Sequence, residues 1–561
     1  MPIDQTQLRT LLIDAGVLTS EQFDQVASRK EVATIGIEDV LTQSGLVTDE
    51  QLGQLLSLHY NVPFVNLQQR EILTDVVQRI PEVFAREHVL LPLEESEKSI
   101  TIATVSPDDL VLQSLIEKYL RKEVRWMYAT PRDIRAHLFV FQKDPKVAFE
   151  AILKQSSASH QMDTRVIELV SLIIDYAFQA GASDIHIEPE ERCSLIRFRE
   201  DGVLHDIAEL PFEFHENILT RLKVLARLAT DEHRLAQDGK IVHKTNWGDS
   251  VEVRLSVIPT TKAEKAVMRL LSDKSHAYSL ADLGLSTEDF AHVSDVVHKP
   301  WGAILVTGPT GSGKTTTLYA LLRVLNQRGV NITTIEDPVE FEIEGLNQIQ
   351  VNEKAGLTFA NGLRSIVRQD PDIIMVGEIR DSETADIAVN AAMTGHLVLS
   401  TLHTNDAATT FPRLQDMGVE DFLVASTVNL VIAERLVRKN CLNCLTSVPL
   451  DKIKEALIEQ VPHMKEYLFA LTGKKVFKNQ SFFKGKGCHV CHGTGFKGRV
   501  GVFEVLPVTE AIRSAIMEKK NADEIRALAI QEGMTTMLYD GLRKMVAGQT
   551  TLEEVLRVTK E

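Results

Sequence analysis

Gly308, Gly313, Lys314 and Thr315 stand in the pattern G-x-x-x-x-G-K-T within the stretch GPTGSGKTTT, a spacing suited to holding a polyphosphate. Glycines let successive backbone N–H groups turn inward around phosphate oxygens, and a helix that starts there adds partial positive charge. Lys314 would reach the terminal phosphates, and the Thr315 hydroxyl could ligate Mg²⁺. Pro309, Thr310, Gly311, Ser312 and Thr316 complete the predicted nucleotide-binding segment. The apolar run AILV before it reads as a strand and TTTLYALLRVLNQRG after it as a helix, the context such a loop requires.

Downstream, DIIMVGEIRD ends a second apolar run in Glu378, placed where a carboxylate would hold Mg²⁺ or its water shell. The segment TTIEDPVE ends another run in Glu336, Asp337 and Glu340. Hydrolysis needs a group that orients the attacking water, and Glu336 and Glu340 are both candidates. TGHLVLSTLHTNDA sets His396 and His403 on either side of a third run, as candidate phosphate sensors.

Four cysteines form two C-x-x-C knuckles, Cys441 with Cys444 and Cys488 with Cys491, the S₄ pattern that Zn²⁺ favours. His489 and His492 are the alternative ligands in the second knuckle, and Cys193 falls on an apolar strand as core. No export signal is evident at the amino end, so the thiols are expected to stay reduced rather than to pair as disulfides.

These residues need elements to carry them. In AILVTG, NITTIED, DIIMVGE and LVLSTLHT the polar residues gather at the carboxyl end of the run, the edge where open α/β sheets bind ligands. A chain of 561 residues exceeds one core, and several domains are expected. Residues 1–60 carry a weak duplication, LLIDAGVLTSEQFDQVAS echoed by VLTQSGLVTDEQLGQLLS, and read as a helical repeat module. Residues 61–145 alternate strands and helices as a small α/β part, and the polar stretch KQSSASHQMD marks a linker over 146–163. Residues 164–285 read as a second, α+β domain. Residues 286–561 read as the nucleotide-binding domain, with a metal subdomain at about 438–500 and helices at the end.

The composition, 44% hydrophobic and 25% charged, is that of an ordinary globular protein, and no run of about 18 apolar residues suggests a membrane span. A formal net charge of −17 argues against a machine that grips nucleic acid.

In this order, GPTGSGKTTT, TTIEDPVE, RSIVRQDPDIIMVGEIRD and MTGHLVLSTLHTNDA resemble the Walker A, Asp, Walker B and His boxes of the type II/type IV secretion ATPases. The branch they resemble is that of type II secretion and type IV pilus assembly. ASDIHIEP, RFREDGVL, RLAQDGKI and VEVRLSVIPT look like that branch's second N-terminal domain, with TTKAEKAV departing from its usual Gly-Glu-Lys turn. The resemblance implies a multidomain α/β protein: a RecA-like P-loop core with a parallel sheet, preceded by a PAS-like α+β domain and by a helical plus α/β domain. It implies ATP, Mg²⁺ and Zn²⁺ as cofactors, a homohexamer, and Arg254 and Arg269 reaching nucleotide at a subunit boundary. It also implies action on an inner-membrane platform protein and a cytoplasmic adaptor, from the cytoplasmic face, by peripheral association alone and without nucleic acid. The tetracysteine element and long N-terminal region match assembly motors rather than retraction motors.

Pilus assembly is the function expected, with secretion or DNA-uptake pseudopili as alternatives. Rivals of other classes are a DNA-translocating motor or helicase and a nucleotide-responsive scaffold without turnover. In relatives whose helical repeats bind cyclic di-GMP, an Arg-Leu-Gly opening and a late Gln hold it. Here QLRTLL, TIGIEDVL, Ser28 and His59 stand in those places, so residues 1–60 are expected to dock a partner instead.

Overall fold

The computed structural model describes residues 4–559 apart from 28–36, 44–46, 48, 68–69, 71, 73, 142–148, 150–151, 154–159, 246–249, 272–278, 450–462, 473–480, 489–490 and 492. The chain separates into two compact units, one mainly of residues 53–277 and one mainly of residues 278–561 with the first 52.

The duplicated sequence forms helices α1 (Gln5–Asp14), α2 (Ser20–Ala27), α3 (Ile37–Gln43) and α4 (Asp49–Tyr60). Gly16 ends the first helix at a positive φ of 67°, and Thr19 caps the second by exchanging hydrogen bonds with Gln22. Phe23 and Leu52, in register between the repeats, are both buried. Gly45, Thr48, Ser28 and Thr34 lie outside the described residues.

The small α/β part has strands β1 (Leu90–Glu95), β2 (Ser99–Thr104) and β3 (Glu123–Tyr128), with α5 (Leu110–Leu120) crossing from β2 to its parallel neighbour β3. Of the expected linker, only part is described; Phe149 is buried in the next module's core, and residues from His160 belong to helix α6 (His160–Ala180). That module is a six-stranded antiparallel sheet of β4 (Asp184–Pro189), β5 (Cys193–Glu200), β6 (Val203–Pro211), β7 (Gln237–Lys244), β8 (Ser250–Pro259) and β9 (Glu264–Leu271). Apolar residues alternating along β5 and β8 face α6 and α7 (His215–Leu225) in one core.

The nucleotide-binding domain opens with α8 (Thr287–Val297) and is built on β10 (Gly302–Thr307), β11 (Ile332–Glu336), β12 (Asn347–Gln350), β13 (Ile373–Val376), β14 (Leu397–Leu402), β15 (Val428–Asn440) and β18 (Phe496–Pro507). Their order is β12-β11-β13-β14-β10-β15-β18, parallel except that β18 runs antiparallel to β15. The four runs read from sequence are β10, β11, β13 and β14, buried from end to end as parallel strands covered on both faces must be. Helix α9 (Lys314–Leu325) follows β10, and α10 (Ser382–Met393) follows β13. Between β15 and β18 the chain forms an antiparallel pair of β16 (Leu445–Pro449) and β17 (Ser481–Gly485), with one cysteine knuckle before it and one after it.

Helix α11 (Met537–Val546) locks the last strand to this core. The buried Lys544 ammonium donates to Asp540 Oδ2 at 2.6 Å and to the Gly501 carbonyl oxygen at 2.6 Å, while Asp540 Oδ2 accepts from the Phe503 N–H at 3.0 Å. Removing one partner of such a pair leaves a buried charge without its compensation. Lys544→Ala is therefore expected to lower the stability of the nucleotide-binding domain by on the order of 3 kcal/mol, measured by denaturant unfolding.

Candidate functional site

Parallel pairing puts the carboxyl ends of β10, β13 and β14 side by side, and the loops leaving those ends line one crevice. After β10 the phosphate loop turns through Gly308, Gly311 and Gly313, with φ of 150°, 77° and 110°. Lys314 begins α9, and its buried ammonium donates to the carbonyl oxygens of Gly308 at 2.9 Å and Pro309 at 3.0 Å. Burial pushes its pKa down, and the charges of Glu378 and Glu434 oppose that shift. Thr315, next along the helix, is exposed.

Glu378 lies just past β13. Its Oε1 meets Arg380 Nη2 at 2.5 Å and its Oε2 meets His403 Nε2, beyond the end of β14, at 3.2 Å. Burial raises the carboxyl's pKa, but Arg380 and His403 more than offset it and hold the group below its ordinary value. The loop ends are pinned to one another: Thr401 Oγ1 donates to the Gly377 carbonyl oxygen at 2.8 Å and the Ile379 N–H to that of Thr401 at 3.0 Å.

Glu336 and Glu340 separate in kind. Glu336, 2% exposed, is enclosed by donors: the Tyr319 hydroxyl from α9, Thr334 Oγ1 at 2.5 Å and Gln348 Nε2 at 3.3 Å. Burial raises its pKa despite these bonds. Glu340 is partly exposed, and its backbone N–H donates to the Tyr319 oxygen at 3.3 Å. One tyrosine thus ties the phosphate-loop helix to both acidic positions.

The structure does not bring every expected residue to this edge. His396 precedes β14, at the opposite end of the strand from His403, where its Nδ1 lies 2.9 Å from the Ala391 carbonyl oxygen and its own carbonyl accepts from Gly302. Arg254 and Arg269, expected to act at a subunit boundary rather than on this edge, are cross-strand neighbours on β8 and β9 in the other compact unit. Arg269, its side chain 66% exposed, pairs with Asp184 at 3.0 Å. Tyr319, Arg380 and Glu434 were not singled out by sequence reasoning. The signal for Glu434 was present, an acid within the apolar strand VIAERLV, where Arg435 is the other charged residue.

The cysteines converge. Sγ of Cys441 lies 3.8 Å from that of Cys488, Cys444 lies 3.9 Å from Cys491, and Cys488 lies 3.7 Å from Cys491. All four sulfurs fall within 4.8 Å of one another. Thiolates about 2.3 Å from a central tetrahedral Zn²⁺ would stand about 3.8 Å apart, so the donor set fits that ion. Backbone N–H groups of Cys488 and Gly495 point at Cys491 Sγ at 3.1 and 3.2 Å, and that of Gly487 at Cys444 Sγ at 3.3 Å. Burial raises the Cys441 thiol, whereas at Cys491 the N–H donors outweigh burial and bring the pKa to about 7. His489 and His492 lie outside the described residues.

The "Type II/IV secretion system protein" family matches residues 159–557, and the MshEN domain matches residues 60–146. A type IV pilus assembly ATPase PilB of Myxococcus xanthus is 37% identical over 568 residues, covering 98% of each chain. A type II secretion system protein E of Xanthomonas campestris is 36% identical over 578 residues, covering 99% of each. Among solved structures, the Legionella pneumophila ATPase DotB superposes with a TM-score of 0.50 at 21% identity, over 70% of this chain and 95% of that one, and shares the RecA-like fold.

Tyr319→Phe removes a donor from the enclosed Glu336 carboxyl while Thr334 and Gln348 remain. It is expected to cost about 1–2 kcal/mol of stability, read by denaturant titration.

Proposed function

The chain belongs to the type II/IV secretion system protein family, and from that premise we propose that it is the ATP-hydrolysing motor of type IV pilus assembly. The observation that carries this reading is the convergence of Lys314, Thr315, Glu378 and His403 on one edge of a parallel sheet. End-to-end similarity to a PilB protein supports pilus assembly. Type II secretion is the second reading, favoured by the Xanthomonas campestris protein E of equal coverage.

In this reading Lys314 exchanges the Gly308 and Pro309 carbonyl oxygens for phosphate oxygens, a move its three donors and location allow. The Thr315 hydroxyl and the ionised Glu378, directly or through water, would hold Mg²⁺, which would supply positive charge beside the phosphates. His403 and Arg380 keep Glu378 ionised and aimed. Glu340, the accessible acid, orients the attacking water, and Glu336 instead anchors Tyr319 so that Glu340 is held in place. His396, remote from this edge within the subunit, is left a structural role.

Arg254 and Arg269 supply charge to a nucleotide at a subunit boundary in a homohexamer, coupling hydrolysis to domain movement. The Asp184 pairing of Arg269 would then break and re-form during the cycle. The ring acts on a membrane platform protein from the cytoplasmic face, with residues 1–150 docking an adaptor. Among the described residues no helix is long and apolar enough to cross a membrane, in keeping with peripheral association.

Cys441, Cys444, Cys488 and Cys491 would hold one structural Zn²⁺, which would fasten the paired strands β16 and β17 to the domain. Its neighbour Asn440 donates to the carbonyl oxygens of Gly548 at 2.9 Å and Thr550 at 3.1 Å, so the metal module is built onto the terminal helices. Metal analysis is expected to give about one zinc per chain, and Cys444→Ser to release it with a lowered melting temperature.

Phosphate release tests the division of labour between the acids. Glu340→Gln is expected to slow it at least ~100-fold, whereas Glu336→Gln keeps most of the rate and loses stability. Equal loss in both variants would return the water-orienting role to an open choice.

A further inference from the structure

The floor of the phosphate loop is an acid. Glu434 sits on β15, which pairs with β10 in parallel so that Ala433 stands beside Thr307 and Glu434 comes level with Gly308. Its residue exposure is 2%. Its Oε2 accepts from Thr317 Oγ1, one turn into α9, at 2.6 Å.

Both motif glycines rest on this one residue. A Cβ added to Gly313 would lie 2.0 Å from Glu434 Oε1, and one added to Gly308 would lie 2.5 Å from the Glu434 carbonyl oxygen. The loop is therefore seated on Glu434, on its carboxyl at Gly313 and on its backbone carbonyl at Gly308, and no side chain fits between them at either glycine.

An acid in that place works against an anion-binding loop. Backbone N–H groups and Lys314 gather negative charge, and an ionised floor beneath them would repel it. The charged groups that face Glu434 are Lys314 on α9 and Lys544 on α11, the latter over the ring of Phe503, the cross-strand partner of Glu434 on β18. The hydrogen bonds of both lysines go elsewhere, those of Lys314 to Gly308 and Pro309 and those of Lys544 to Asp540 and Gly501. Burial therefore prevails over Thr317 and the lysine charges and pushes the carboxyl up to about 8.

We propose that Glu434 is a positioning residue for the nucleotide, whose neutral carboxyl carries the phosphate loop from beneath and whose ionisation weakens polyphosphate binding. This rests on the nucleotide-binding reading of the site. Linkage sets the sign. A bound polyphosphate adds negative charge above Glu434 and holds its proton more tightly, so binding draws in a proton once the free carboxyl has ionised, and affinity falls as pH rises through about 8.

The test is calorimetric titration of the full chain with ADP in EDTA, from pH 6.5 to 9, for the wild type and Glu434→Gln. Between pH 7 and 9 the wild-type dissociation constant is expected to rise on the order of ten-fold more than that of the Gln variant. At pH 8.5, titration in two buffers of different ionisation enthalpy should show the wild type taking up on the order of one proton, and the variant much less. Parallel pH profiles, or no proton uptake by the wild type, would overturn the proposal and leave the nucleotide site intact. Failure of ADP to bind at any pH would instead overturn the nucleotide-binding reading. Should the Gln variant not fold, Glu434→Met, apolar and close in volume, makes the same comparison, and the wild-type proton count stands by itself.

Discussion

Parallel hydrogen bonding among β10, β13 and β14 is the constraint on which the site depends. Because the three strands run the same way, Lys314, Glu378 and His403, separated by up to 89 positions in sequence, emerge at one edge. Each right-handed crossover needs a helix, and α9 and α10 supply those helices while delivering a positively polarised amino end near the crevice. Reversing one strand would send its polar terminus to the far edge. His396 shows what that edge looks like: a ring committed to a neighbouring carbonyl.

Around this edge the domain is held by buried acids, each tied to a different element. Glu336 binds α9 through Tyr319. Glu504 on β18, pushed up to about 7 by burial, accepts from the Ala407 N–H at 3.0 Å, just beyond His403 and beside the Asp406–Arg526 ion pair. Asp540 binds Lys544 and the β18 backbone. These contacts run from the nucleotide edge to the terminal helices.

Residues with a fixed local signature were legible in the sequence. The phosphate loop, the four apolar runs and the two C-x-x-C knuckles each declare themselves within a few positions, and each forms the predicted element. Phe23 and Leu52, matched between repeats, are buried alike. The features that were not legible depend on neighbours far along the chain. His396 and His403, read on either side of one run, were grouped by residue type as phosphate sensors, and it is the pairing of His403 with Glu378 that separates them. Glu336 and Glu340, four positions apart, differ because the first ends a buried strand under Tyr319 and Gln348 and the second lies in the loop beyond it. β15 and β18 were hidden by the insertion of more than fifty residues between them, which breaks the spacing by which a hairpin is recognised.

Ionisation, more than position, sorts the acids of the crevice. With Glu378 and Glu434 both charged, the ammonium of Lys314 would face two carboxylates where a polyphosphate has to sit. Burial raises the pKa of Glu336 and of Glu434, while Arg380 and His403 keep Glu378 charged. Burial thus favours the uncharged form at both positions, where the carboxyls accept hydrogen bonds from Thr334 and Thr317 and act as scaffold. The charged one is left as the only one of the three suited to a metal ion. One kind of side chain thereby serves two roles in the same crevice, set apart by solvent access and by the cations placed beside it.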